Sequence, residues 1–296
     1  MLSILIPTYN HNVYALTHQV HSQAEQLSIP YEILVIDDHS SLFLSENEKI
    51  KELSNVRFTI LEKNIGRSGV RAMLAENAQF DTLLFLDADV LPGSNMFLAN
   101  YISQSKITST DVIFGGVAYV KDAPPIENRL RWQYGKNREV KSAEDREQNP
   151  HFVISQNLFI SKDCFQKINT SLENFYGDDL ILSQQLKKRQ IEVCHIDNPV
   201  FHLGLETSKD YLKKALSAVK TIVMLEKNGQ LDPDLTKLQR SYLHLKKWNC
   251  TGLFSSIIGL FTQFMEKNFI SDSPNLFWFD LYRLHYYIQL KNKKSV

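Results

Sequence analysis

The sequence predicts an α/β fold: a mixed, mostly parallel sheet flanked by helices, with a helical appendage at the C-terminal end. Three features lead there. Apolar runs of strand length alternate with helix-like segments through the first 120 residues. The runs are continuous rather than alternating in polarity, as in strands buried on both faces. From Tyr211 onward the pattern is helical throughout, broken only near 229–233 and 272–274.

Each element has its own reason. Residues 2–6 form a Leu and β-branched run that ends at Pro7, and 13–27 reads as a helix. The run EILVI at 32–36 is a second strand closed by Asp37 and Asp38. A helix over 46–53 and a strand over 56–61 follow. Residues 66–77 carry Val70, Met73 and Leu74 at helical spacing, and TLLFL at 82–86 is a fourth strand closed by Asp87. A helix over 94–103 leads to a strand containing 112–114. Asp122 to Pro150 is polar and aperiodic, with Pro124-Pro125 at its start, and reads as a long loop poised to close over a ligand. Strands at 152–160 and 191–196 flank a helix over 178–188. Strand–helix–strand repetition of this kind gives a doubly wound sheet, which binds ligands at the carboxyl ends of its strands. The domain reading is 1–205 for the α/β part, divided near residue 120, and 206–296 for the helical appendage.

Composition narrows the function. With 33 basic and 33 acidic side chains among 296 residues, nothing in the global charge favours nucleic acid or an anionic surface. The 43% of hydrophobic residues suffices for a large core. Cys164, Cys194 and Cys250 are scattered, which argues against a disulfide framework or a thiolate zinc site and for a reducing, cytoplasmic setting. The opening MLSILIPTYN has no basic n-region, so no signal peptide is expected. No run of about 18 apolar residues marks a spanning helix.

The residues with chemistry gather at strand ends. Asp87-Ala88-Asp89 follows a buried strand directly; Asp232-Pro233-Asp234 has the same spacing but sits in a Gly/Pro break and reads as a turn. Two carboxylates at a ligand edge are costly unless balanced, and Mg2+ or Mn2+ suits one or two carboxylates completed by substrate phosphates. The alternative is a cap for the following helix. Asp37-Asp38-His39-Ser40 either binds a base or ribose, or forms a turn with a helix cap. Asn64-Ile65-Gly66-Arg67-Ser68-Gly69-Val70-Arg71 opens a helix whose N-terminus, with Arg67, suits a diphosphate; Arg71 reads equally as a surface charge. Asp178 and Asp179 follow Gly177 at a helix start, where acids either cap or, in a cleft, act as a general base. His202 is a structural histidine or, beside a metal, a ligand.

These segments, in order, resemble a family 2 glycosyltransferase with the GT-A, Rossmann-like fold: SILIPTYN, EILVIDDHS, LEKNIGRSGVR, LLFLDADVLP, FYGDDLILSQQL and NPVFHLG. The resemblance covers residues 1 to about 205. It implies inverting transfer of a hexosyl or N-acetylhexosaminyl group from a nucleotide sugar, usually UDP-linked, to a saccharide or lipid-linked acceptor. The setting it implies is bacterial-type polysaccharide or glycoconjugate synthesis. It places Pro7, Thr8, Tyr9, Asp37, Asp38, Asn64, Gly66, Arg67, Arg71, Asp87 and Ala88 around the nucleotide sugar. It makes Asp89, with Asp87 and His202, the holders of Mn2+ or Mg2+. Asp179 matches the catalytic base, with Asp178 beside it, and Gln156, Asn157 and Trp132 fall on the acceptor side. Val70-Arg71-Ala72 departs from the family's common Ala-Arg-Asn, and the Gln-x-x-Arg-Trp motif of processive synthases is missing from its place. The competing readings are a non-catalytic binding protein on the same fold and a sugar-phosphate nucleotidyltransferase. The C-terminal helices, rich in Phe, Leu, Ile and Tyr, either pack on the core or on a second copy, or form an interfacial helix at the inner face of a membrane.

Overall fold

Leu2–Thr8 (β1) is buried from end to end, as are six of the seven residues of Tyr31–Asp37 (β2). No alternating polar face is needed where helices cover both sides. A computed structural model describes residues 1–168, 177 and 179–292 of the chain. The next elements are α1 (Tyr14–Glu25), α2 (Leu44–Glu48) with a 3-10 turn at Lys49–Glu52, β3 (Val56–Ile60), α3 (Gly66–Asn77), β4 (Thr82–Leu86), β5 (Val90–Pro92) and α4 (Phe97–Ile107). Then come β6 (Val112–Phe114), β7 (Val117–Ala118), α5 (Arg129–Tyr134), α6 (Ala143–Glu147), β8 (Asn157–Ser161), α7 (Lys162–Ile168), α8 (Asp179–Lys188), β9 (Val193–His195) and β10 (Val200–His202). Four long helices follow: α9 (Ser208–Lys227), α10 (Lys237–Lys247), α11 (Thr251–Phe269) and α12 (Leu276–Asn292).

The chain divides into two compact units. The first holds the described residues of Met1–Val120, Glu139–Asn174 and Gln185–Gly204. Its main sheet has the order β3-β2-β1-β4-β8-β6-β9. β1 to β4 run parallel, β8 runs antiparallel to both neighbours, and β6 and β9 are parallel, so the sheet is mixed and mostly parallel as expected. Register matters for function: Thr8 lies opposite Asp37, and Asp37 opposite Ile60, so these strands end together at one edge. A small second sheet, β5-β10-β7, sets β10 antiparallel to β5 with His202 opposite Val90.

The second unit holds the described residues of Lys121–Arg138, Phe175–Gln184 and Leu205–Val296. Its core has two clusters. Ile181, Val219, Ile222, Val223, Leu225 and Tyr287 form one, and Leu130, Tyr211, Ile258, Met265, Phe269 and Phe279 the other. Capping is explicit here. Thr207 accepts from the Asp210 amide at the start of α9, and Thr236 with Gln239 forms a capping box at α10.

The expected long loop at 122–150 is largely helical. It contains a 3-10 turn at Ile126–Asn128, α5, a π-turn at Gly135–Glu139 and α6. These helices are too short to print a period on the sequence. Their buried residues also include arginines, which carry no apolar signal. Arg131 is buried beside Glu206 (3.6 Å) and over the Tyr211 ring. Arg146 is buried with its Nε donating to His195 Nδ1 (3.2 Å) and its Nη2 to the Ile196 carbonyl (2.6 Å). Residues 152–156, expected as strand, precede β8 rather than belonging to it.

Candidate functional site

The edge of the first unit where β1, β2 and β4 end collects the candidate residues. Pro7 and Thr8 are buried inside β1, and Thr8 Oγ1 donates to the His11 carbonyl (3.3 Å). Tyr9 is exposed beyond them. Asn10, in the left-handed region at φ 49°, ties the loop after β1 to the loop after β2, its Oδ1 accepting from the amides of Ser41 (2.8 Å) and Leu42 (3.1 Å).

Asp37 and Asp38 take different parts. Asp38 is buried and accepts from the amides of Ile65 (2.7 Å) and Gly66 (2.8 Å), closing the N-terminus of α3 from a distant strand end. Asn64 Nδ2 donates to the Asp38 carbonyl (3.0 Å). Asp37 is fully buried; its Oδ1 accepts from the Ser40 amide (2.7 Å), while its Oδ2 has no hydrogen-bond partner among the described residues. A buried carboxylate oxygen left unpaired is expensive, and a ligand donor would repay it.

The Asp-Ala-Asp segment divides in the same way. Asp87 is clamped: Arg71 Nη1 lies 2.9 Å from its Oδ1 and Arg67 Nη2 2.9 Å from its Oδ2. Arg71 is buried, donates to the Ser155 carbonyl (2.9 Å) and stacks over Phe85, so it is not a surface charge. Arg67 is partly exposed and also donates to Ser155 Oγ (2.9 Å). Asp89 instead meets His202, Nε2 to Oδ2 at 3.1 Å. The pairing of β5 with β10 is what brings these distant residues together. Burial works against ionisation of Asp89, but the His202 hydrogen bond and the positive potential of His202 and His11 hold its carboxyl below the usual range. His202 is buried, its ring meets Tyr119 edge-on at 5.4 Å, and its Nδ1 has no hydrogen-bond partner among the described residues. Neither aspartate caps α4, which is preceded by Met96 without a side-chain cap.

Gly204 explains part of this geometry. A Cβ there would stand 2.1 Å from Asp89 Oδ2. Only a glycine lets the chain leaving β10 pass so close to the carboxylate. Nothing in the segment NPVFHLG marks this role of Gly204, because Asp89 is far away in sequence. Nor does the sequence single out Ser155, which holds both arginines; its place directly before Gln156 was the available signal.

Asp89 Oδ2 and His202 Nε2, hydrogen-bonded at 3.1 Å, stand at the separation that adjacent ligands each about 2.1 Å from a small divalent ion would have, roughly 3 Å. Among the described residues no group of three or more His, Cys, Asp or Glu side chains is placed to hold a metal.

Asn157 is fully buried, accepting from the Tyr101 hydroxyl (2.6 Å) and donating to the carbonyls of Gly116 and Asn198. Gln156 keeps a buried Oε1 without a partner among the described residues, and its carbonyl accepts from the Asp87 amide (3.2 Å). Asp179 is the first residue of α8, in the second unit, after Gly177 at φ 103°. Asp178 lies outside the described residues. Trp132, on α5, carries the Lys136 ammonium 4.3 Å above its ring.

Residues 3–168 match the model of the family described as glycosyl transferase family 2. A curated relative, the undecaprenyl-phosphate 4-deoxy-4-formamido-L-arabinose transferase of Pseudomonas fluorescens (strain SBW25), is 33% identical over 94 residues, 30% of this chain. The match spans only 28% of that relative's length. A mannosyltransferase from Pyrobaculum calidifontis, solved with GDP-Man and Mn2+, is 15% identical with a TM-score of 0.57 over 98% of this chain and 86% of its own. S. aureus TarS is 16% identical with a TM-score of 0.50 over 75% of this chain and 39% of its own. Both structures share the fold.

Proposed function

Because this chain belongs to glycosyl transferase family 2, we propose that it moves a sugar from a nucleoside diphosphate sugar to an acceptor hydroxyl with inversion. The observation that carries this reading is the Asp89–His202 pair beside the doubly clamped Asp87, at the edge where β1, β2 and β4 end. The mannosyltransferase that shares the fold was solved with a nucleotide sugar and Mn2+, which supports a nucleotide sugar and a divalent ion as ligands to test here.

In this mechanism each residue has one task. Asp37, with its unpaired Oδ2, takes a donor from the base or ribose. Asp89 and His202 would hold Mn2+ or Mg2+, which when bound neutralises charge on the leaving diphosphate. Arg71 and Ser155 keep Asp87 and Arg67 in position, so that Arg67, the more exposed of the two arginines, faces the diphosphate. Asp179, assigned on its motif, takes the acceptor's proton at a carboxylate oxygen. The hydroxyl oxygen then bonds to the anomeric carbon as the bond to diphosphate breaks. We assign the reaction to 1–205 and the appendage to 206–296. A UDP-linked hexose or N-acetylhexosamine is the first donor to try. The acceptor is a saccharide or a lipid-linked acceptor of bacterial-type glycoconjugate synthesis; the lipid phosphate in the name of the curated relative supports the lipid-linked alternative.

The test is a panel of UDP-, GDP- and dTDP-sugars, with and without Mn2+, read as nucleoside diphosphate release. Release from one donor class, dependent on the cation, supports the reading. Pyrophosphate release from a nucleoside triphosphate and a sugar phosphate would replace it with nucleotidyl transfer.

A further inference from the structure

Helix α11 is apolar on two opposite faces. One face packs inward: Ile258, Met265 and Phe269 are buried with Tyr211 and Phe279. The other carries Leu253, Ile257, Leu260, Phe261 and Phe264, all exposed, with Leu260 83% accessible. Their spacing of four, three, one and three residues makes a single outward stripe over three turns. Phe264 touches Trp278 of α12 at 5.2 Å, and the adjoining Phe277 is exposed as well, so the stripe continues onto the neighbouring helix. Isolated exposed leucines need no explanation, but a contiguous apolar stripe marks a contact surface.

The charges around it are segregated. Between Lys237 and Met265 there are four cations, Lys237, Arg240, Lys246 and Lys247, and no Asp or Glu, in a chain whose totals are 33 and 33. All four are exposed. Glu266, the first acid after this stretch, is held by the Tyr282 hydroxyl. Trp248, 65% accessible, sits between the basic end of α10 and the stripe. A cationic segment, an exposed Trp and an outward apolar helix in sequence match the chemistry of an anionic bilayer surface. Headgroups meet the lysines, the indole lies at their depth, and the stripe enters the acyl boundary. No helix of the described residues is long and apolar enough to cross a membrane, so α11 would lie in the interface.

We propose that α11, with the basic end of α10 and Trp248, docks this protein onto an anionic phospholipid bilayer. A second copy of the chain is the weaker occupant. A two-fold contact sets the same patch against itself and would bring the unbalanced cations of both copies together. The proposal stands apart from the glycosyl-transfer reading, because it is read by binding rather than turnover.

The test uses the full chain with vesicles of phosphatidylglycerol and phosphatidylcholine in equal parts, against pure phosphatidylcholine, at low salt. The expected result is co-flotation with the anionic vesicles at least tenfold above the neutral ones, weakened by salt. Two double variants probe the two components: Leu260→Ser with Phe264→Ser, and Lys246→Glu with Lys247→Glu. Each is expected to lower anionic binding at least tenfold while the circular dichroism spectrum and monomer mass are unchanged. Failure of the unaltered protein to float with anionic vesicles overturns the proposal. So does undiminished binding by both variants. A concentration-dependent dimer abolished by the Leu260/Phe264 variant, without vesicle binding, assigns the face to a second copy instead. Donor turnover measured alongside separates failure of this proposal from failure of the enzymatic one.

Discussion

The strand-end edge of the first unit and the outer face of α11 in the second handle costly groups in opposite ways. At the edge, buried charge is matched almost atom for atom: Asp87 has two arginines, Asp38 two amides and Asp89 a histidine. Among the described residues the atoms left without a partner there are Asp37 Oδ2, His202 Nδ1 and Gln156 Oε1. On α11 a whole apolar stripe is left to water. The difference separates preorganisation from docking. Groups that must be aimed at a small ligand are fixed by the fold beforehand, whereas a surface that meets an extended partner needs only the right composition.

Substitutions can break this contrast. The largest effect is expected from Asp89→Asn, which removes one of two protein ligands; cation-dependent donor turnover should fall on the order of 10³-fold, with little change in melting temperature. Arg71→Ala comes next. Leaving Asp87 partly buried with one cation fewer should cost about 3–5 kcal/mol in denaturant unfolding, whereas Arg67→Ala, on the exposed side, should cost about 1 kcal/mol or less and act mainly on donor KM. Gly204→Ala would press a methyl group on Asp89 and should lower turnover more than stability. Smallest is pH. Burial pushes the pKa of both His195, in the first unit, and His285, in the second, below the ordinary value. The unfolded chain then protonates first, so stability present above about pH 6.5 should decline as pH falls through that value. His195→Gln should flatten part of that slope in a melting series. A slope unchanged by it would place the dependence elsewhere.

How much of this was legible in the sequence follows from physics local to each segment. Strands β1, β2 and β4 were readable because strands buried on both faces print continuous apolar runs, and the acids that close them mark the ligand edge. The partnership of Asp89 with His202 was not readable from spacing. It depends on antiparallel pairing of two three-residue strands far apart in sequence, and such short elements carry no period of their own. Arg71 was ambiguous because a helix wheel does not tell which buried carboxylate waits opposite. Arg131 and Arg146 fall in the segment expected as a polar loop, and their burial depends on tertiary partners that the local sequence does not show. The two faces of α11 illustrate the converse. Composition announced an apolar helix, and only packing separated the inward face from the outward one.

The central claim is that Asp89 and His202 complete a cation and nucleoside diphosphate site. Calorimetric titration of UDP and GDP into the protein, with and without Mn2+, compared with Asp89→Asn and His202→Ala, tests it most directly. The account predicts that one nucleotide binds at least tenfold more tightly with Mn2+, and that either substitution abolishes this gain while leaving the fold intact. A gain of the same size in both variants would contradict it.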